Sequence, residues 1–129
     1  MTVSEGYRIM FKFLDMQYWR NQSDELGGLL GSMALLADGT PADPALAKDW
    51  NIAVQRVMKQ SVKMELNSEL TYSAAIEFLS DWAAIGTDGT ISGICGRMKS
   101  DSPQNEDWIS TVKCVLADED DPYLHLTKE

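Results

Sequence analysis

The sequence is short of the residue types on which most catalytic and metal sites depend. Its 129 residues include one histidine, His125, and two cysteines, Cys95 and Cys114, with no second thiol or histidine at ligand spacing from either. A zinc site needs several such ligands together, and a Ser-His-Asp triad would have to converge on the C-terminal tail. We therefore expect no metal, no cofactor and no catalytic activity. We expect His125 to be structural or exposed, and both cysteines to be small buried apolar side chains.

Basic residues are also scarce. The chain has 11 Lys and Arg residues against 20 Asp and Glu residues, which gives a formal net charge of −9 at pH 7. A charge of this size and sign repels nucleic acids and anionic lipids and favours a basic partner. The composition therefore disfavours nucleic-acid binding and points to a basic protein as the partner.

Long hydrophobic runs are missing as well. No window approaches the roughly 18 consecutive apolar residues that mark a transmembrane helix. Near the N-terminus, Arg8, Lys12 and Asp15 interrupt the apolar residues, which does not fit a signal peptide. Since 44% of the residues are hydrophobic, we expect one domain over residues 1–129 with a core of its own. We expect that domain to be cytoplasmic.

The chain does show helical periodicity, with apolar residues that recur at helical spacing in four segments. The start of the second segment is the best marked, since Asp43 can cap it and Pro44 fits the first helical position. The predicted helices run from a cap at Ser4 to about Arg20, from Asp43 to about Gln60, from a cap at Thr71 to a stop at Gly86, and through residues 105–117.

The segment after the third helix is different. A turn at Asp88-Gly89 precedes the β-prone stretch from Thr90 to Cys95, and closely spaced glycines weaken any strand there. We predict a loop or one short strand. The fold class is therefore mainly α, a single compact domain of about four helices with at most a short strand or hairpin.

A glycine-rich stretch, "DELGGLLGSM", begins at Asp24. It has neither the lysine of a phosphate-binding P-loop nor the preceding buried strand of a dinucleotide-binding fingerprint. If it forms a short helix capped by Ser23 or Asp24, Gly27 and Gly31 share one face and permit another backbone to approach closely. Three glycines cost such a helix about 1 kcal/mol each, so it must bury its apolar residues. These are Leu26, Leu29, Leu30 and Met33.

The longer stretch "DELGGLLGSMALLADGTPADPALAKDW" resembles a pattern in small immunity proteins of bacterial contact-dependent growth inhibition and related polymorphic-toxin systems. Such proteins act in the cytoplasm, where they bind the toxic C-terminal domain of a cognate effector, often a nuclease, and block it stoichiometrically. The resemblance implies that function here and does not identify the binding residues. Its shared motif marks scaffold positions, among them Gly27, Gly28, Gly31, Asp43, Pro44 and Trp50.

Charge gives a separate indication of the contact surface. Residues 101–129 hold eight acidic residues and two lysines, a net charge of −6. An acidic inhibitor can dock in the basic substrate groove of a nuclease, steered by this charge and imitating phosphate. The candidate toxin-binding residues are Asp101, Glu106, Asp107, Asp118, Glu119, Asp120 and Asp121.

The role of the acidic run and the function of the whole chain both have alternatives at this point. The run from Asp118 to Asp121 lacks the alternating ligands of a calcium loop, and it is either a solvated loop or an electrostatic docking segment. The whole chain could also be an acidic adaptor or regulatory subunit of another basic protein. A small hydrolase is a weaker reading, because no nucleophile and base are visible as a pair.

Overall fold

Six α-helices make up the computed structural model, which describes residues 1–34, 42–61, 65–84 and 89–117 and contains no strand within them. The mainly helical class is confirmed, and the helices number two more than predicted. They enclose one hydrophobic core. The helices are α1 (Val3–Asn21), α2 (Asp24–Ser32), α3 (Pro44–Lys59), α4 (Ser68–Ala83), α5 (Thr90–Ser100) and α6 (Glu106–Leu116).

Side-chain caps fix where the helices start. The predicted cap of α3 is confirmed, since Asp43 Oδ1 accepts from the Ala45 amide at 2.9 Å and Pro44 occupies the first turn. The predicted cap of α1 was wrong. Thr2 forms a reciprocal capping box with Glu5, at 3.0 and 2.8 Å, and this places Ser4 inside the helix.

The start of α4 was also mispredicted. Asn67 caps this helix by accepting from the Leu70 amide at 2.8 Å. Thr71, the expected cap, is fully buried one turn further along. The early start follows from the stronger capping ability of an asparagine that the apolar periodicity did not mark. The predicted stop at Gly86 lies outside the described residues.

The predicted loop or strand from Thr90 to Cys95 was wrong, because these residues form the first half of α5. Gly89, with φ 78°, precedes the helix and offers no side-chain cap. Glu25 of α2 supplies one instead, since its Oε2 accepts from the Ile91 amide at 2.8 Å. The helix then buries four side chains that offset the cost of its glycines, Ile91, Ile94, Cys95 and Met98.

Trp50, one of the scaffold positions in the motif, lies at the centre of the core and is 1% exposed. Its Nε1 donates to the Val3 carbonyl at 3.0 Å, which ties α3 to the first turn of α1. The indole meets the rings of Tyr7 and Phe78 edge to face, with centroids 6.3 and 6.1 Å away. One side chain therefore joins α1, α3 and α4.

The glycine-rich stretch forms α2, capped by Ser23, which accepts from the Leu26 amide at 3.0 Å. A β-carbon at Gly27 would lie 2.9 Å from Tyr18 Cε1, so a close approach exists there, although to a ring of α1 and not to backbone. The expected close approach was wrong for Gly31, because a β-carbon added there would have no neighbouring atom within 4 Å. The same holds for Gly28. The expected apolar anchors Leu26, Leu29, Leu30 and Met33 are all buried, as predicted.

Candidate functional site

A groove of about 210 Å³ opens where α1, α4, α5 and the start of α6 meet. Pockets for drug-sized ligands and cofactors typically hold about 300–1,000 Å³, so this groove suits a single large side chain better than a cofactor. Its apolar wall comes from one residue of α1, one of α4 and two of α5. These are Phe13, Tyr72, Ile94 and Met98.

An ion pair closes one side of the groove. Arg20, in the last turn of α1, donates from Nη1 to Asp107 Oδ2 at 2.6 Å and from Nη2 to Asp107 Oδ1 at 3.1 Å. The bidentate hydrogen bond holds the pKa of the Asp107 carboxyl below its usual value and raises the pKa of Arg20. Asp107 is therefore already engaged within the chain.

Tyr72 forms part of the groove wall. Its hydroxyl donates to the Met98 carbonyl at 2.7 Å, and its ring meets Trp108 edge to face with centroids 5.1 Å apart. Burial raises the pKa of Tyr72, and the negative charge of Asp101 raises it further. The tyrosine thus stays protonated near neutral pH and joins α4 to the end of α5.

Arg97 and Asp101 are the other two charged groups of the groove. Among the described residues, neither forms a salt bridge. The Arg97 side chain runs back along α5, so that Nη1 lies 3.5 Å from where a β-carbon of Gly93 would be. Asp101 ends the helix, and its Oδ1 accepts from the Ser102 amide at 2.8 Å. The two charges therefore point to opposite ends of the last two turns of α5.

The same two residues also line an open concavity of about 510 Å³ on the outer side of α5. The rest of its lining is small, consisting of Gly93, Gly96 and Ser100. Arg97 and Asp101 thus form a ridge shared by two neighbouring depressions.

The structure brings some of the predicted toxin-binding residues together. Asp101 and Asp107 line the groove, and Glu106 is exposed beside Asp107 in the first turn of α6. Asp118, Glu119, Asp120 and Asp121 lie outside the described residues, as does His125.

Sequence reasoning missed the two arginines of the groove. Arg20 lies 87 positions from Asp107. No local sequence pattern predicts that the last turn of α1 packs beside the start of α6. Arg97 stands in a segment that was expected to be a loop or strand. The groove is therefore lined by two arginines as well as two aspartates, where an acidic surface was expected.

The cysteines differ from each other in burial. Cys95 is buried, with its Sγ 3.3 Å from Ser80 Oγ, whereas Cys114 is only partly buried, so the prediction for it was wrong.

In residues 1–34, 42–61, 65–84 and 89–117, no three Cys, His, Asp or Glu side chains are grouped so as to hold a metal ion. None of the helices in those ranges is both long and apolar enough to cross a bilayer.

No protein-family model matches this chain, and no curated protein or solved structure is significantly similar to it. The resemblance to immunity proteins therefore stays a prediction.

Proposed function

We propose that this chain is a cytoplasmic immunity protein that binds a cognate toxin domain of the nuclease class and neutralises it by covering its active site or substrate groove. The observation that carries the proposal is the concentration of negative charge in residues 101–129, which have a net charge of −6. Within the described part of that region, Asp101 and Glu106 are exposed near the groove.

Electrostatic complementarity supports this proposal. A nuclease must hold a phosphate backbone, so its substrate groove is basic. An acidic surface is drawn to such a groove, which raises the association rate and discriminates against acidic or neutral partners. The excess charge of the whole chain, −9, has the same sign as the local charge and adds to the long-range attraction.

The decisive experiment is a titration of toxin activity. The toxin domain encoded beside the gene for this chain is purified, and its nuclease activity is measured against increasing amounts of this protein. We expect activity to reach zero at one equivalent, with a 1:1 complex in gel filtration. A toxin domain from an unrelated effector serves as the control and should stay active.

Other outcomes would reject the proposal in different ways. Protection at far less than one equivalent would mean that the chain inactivates the toxin catalytically, as a hydrolase would. Absence of any complex with the toxin, together with stable binding to a different basic protein, would support the adaptor alternative.

A further inference from the structure

The ridge formed by Arg97 and Asp101 carries the two charges of the groove that form no salt bridge with another described residue. Arg20 and Asp107 already satisfy each other through two hydrogen bonds, at 2.6 and 3.1 Å. No described carboxylate pairs with Arg97, and no described cation pairs with Asp101. A partner that enters the groove therefore finds one open positive charge and one open negative charge.

We propose that the bound toxin recognises this ridge with two side chains of opposite charge, an acidic one on Arg97 and a basic one on Asp101. The inference rests on the function proposed above and names the chemistry of the partner at that same site. It departs from simple phosphate mimicry, in which only the carboxylates would contribute and Arg97 would oppose binding.

The geometry of α5 sets the spacing that the partner must match. The Arg97 guanidinium lies over Gly93, and the Asp101 carboxylate lies at the end of the helix. From residue 93 to residue 101 the helix rises roughly 12 Å, at 1.5 Å per residue. Opposite charges at positions i and i+8 of a helix, or at i and i+4 of a strand, have about this separation.

The surroundings of the ridge favour such a contact. Gly96 has nothing within 4 Å of its missing β-carbon, so the outer concavity is open to a partner backbone. Since Arg97 and Asp101 are both exposed, their substitution leaves the core untouched.

The test measures the dissociation constant of the same toxin domain for four single variants. Arg97→Ala and Asp101→Asn remove the ridge charges. Lys99→Ala and Asp81→Asn are matched controls, because both residues are exposed and neither lines the groove or the concavity. We expect each ridge variant to bind about tenfold more weakly, as loss of a paired interface charge does, and each control to stay within about twofold. Equal melting temperatures show that all four variants fold.

The response to Arg97→Ala separates the two modes of recognition. Weaker binding supports a partner that contacts both the positive charge of Arg97 and the negative charge of Asp101. Unchanged or tighter binding overturns the inference and favours a contact made through carboxylates alone. The swapped variant Arg97→Asp with Asp101→Arg keeps the net charge and reverses its order, so it should also bind weakly. Binding of the swapped variant at the parent level would overturn the inference. If the parent protein itself fails to bind the toxin, the proposed function falls and this inference falls with it.

Discussion

Arg20 and Asp107 are joined by two hydrogen bonds, of 2.6 and 3.1 Å, that connect the last turn of α1 to the first turn of α6. The Arg20 side chain is 56% exposed and the Asp107 side chain 37% exposed. Their geometry is favourable, but solvent screens their attraction, so the pair contributes to orientation more than to stability.

The first prediction concerns the pH dependence of this pair. Because Arg20 lowers the pKa of Asp107 from its ordinary 3.8, the stabilisation is present above that value and is lost as the pH falls through the lower folded pKa. A double-mutant cycle with Arg20→Ala and Asp107→Asn, read from urea unfolding, should give a coupling of about 0.2–1 kcal/mol at neutral pH. The coupling should weaken as the pH falls below 3.8 and Asp107 becomes protonated.

A second ion pair in the chain provides the control for that cycle. Arg56 and Glu77 stand 4.0 Å apart, with exposed side chains and a longer contact. The corresponding cycle should give a coupling near zero at every pH. A coupling for Arg20 and Asp107 that is no larger than this control would show that the bidentate geometry adds nothing.

The second prediction concerns the glycines of α2. A β-carbon at Gly27 would press on the ring of Tyr18, at 2.9 Å from Cε1, whereas at Gly31 it would meet nothing within 4 Å. Gly27→Ala should lower the free energy of unfolding by about 1 kcal/mol, because overpacking exceeds the gain in helix propensity. Gly31→Ala should raise it by about 0.5–1 kcal/mol.

Thermal melts and urea unfolding of the two variants measure these changes. In a Tyr18→Ala background the clash is gone, and Gly27→Ala should then stabilise the helix as Gly31→Ala does. A Gly27→Ala variant that is stabilised in the parent background, as Gly31→Ala is expected to be, would refute the assignment of Gly27 to packing.

The third prediction concerns the cap of α5 supplied by Glu25. Removing the carboxylate with Glu25→Ala leaves the Ile91 amide without its acceptor, which should cost about 1–2 kcal/mol. Glu25→Gln retains an acceptor and loses only the charge at the helix start, so it should cost about 0.3–1 kcal/mol. Urea unfolding of both variants measures the difference.

Glu69 provides the comparison for this cap. It is an exposed acidic residue in the first turn of α4, where Asn67 already caps the helix. Glu69→Ala should change the free energy of unfolding by less than about 0.5 kcal/mol. An Ala variant of Glu25 as stable as that of Glu69 would mean that α5 starts without help from α2.

The fourth prediction concerns the acidic run from Asp118 to Asp121. If it takes part in the encounter with the toxin, neutralising all four residues to Asn or Gln should slow association at low salt and flatten its salt dependence, with dissociation less affected. Stopped-flow mixing at two ionic strengths measures both rates. An unchanged association rate at low salt would identify the run as a solvated loop.

The helices that sequence predicts well are those whose signals are local. Asp43 and Pro44 define the start of α3 by themselves, and Glu106 with Asp107 marks the start of α6. The start of α5 carries no such signal, because its cap comes from Glu25, 66 residues away. The glycines of this segment disfavour a helix in a prediction from sequence, but the contact with Glu25 and the buried side chains of α5 stabilise one.

The groove was predictable only in part, for a similar reason. Asp101 and Asp107 lie six positions apart and follow from the local charge pattern. Arg97 lies only four positions before Asp101, but in a segment predicted to be a loop or strand, and Arg20 comes from α1. The balance of charge in the groove therefore depends on how α1 and α5 pack. The amino-acid composition predicts the net charge of the whole molecule, whereas the charge of each surface depression depends on which helices pack beside it.

The cap that Glu25 provides to α5 also bears on how this surface can change. The start of the helix is secured from α2, and its buried side, Ile91, Ile94, Cys95 and Met98, is anchored in the core. Arg97 and Asp101 take no part in either attachment. Substitutions at these two positions can therefore alter the charge presented to a partner at little cost to the helix, which leaves the ridge free to change as its partner changes.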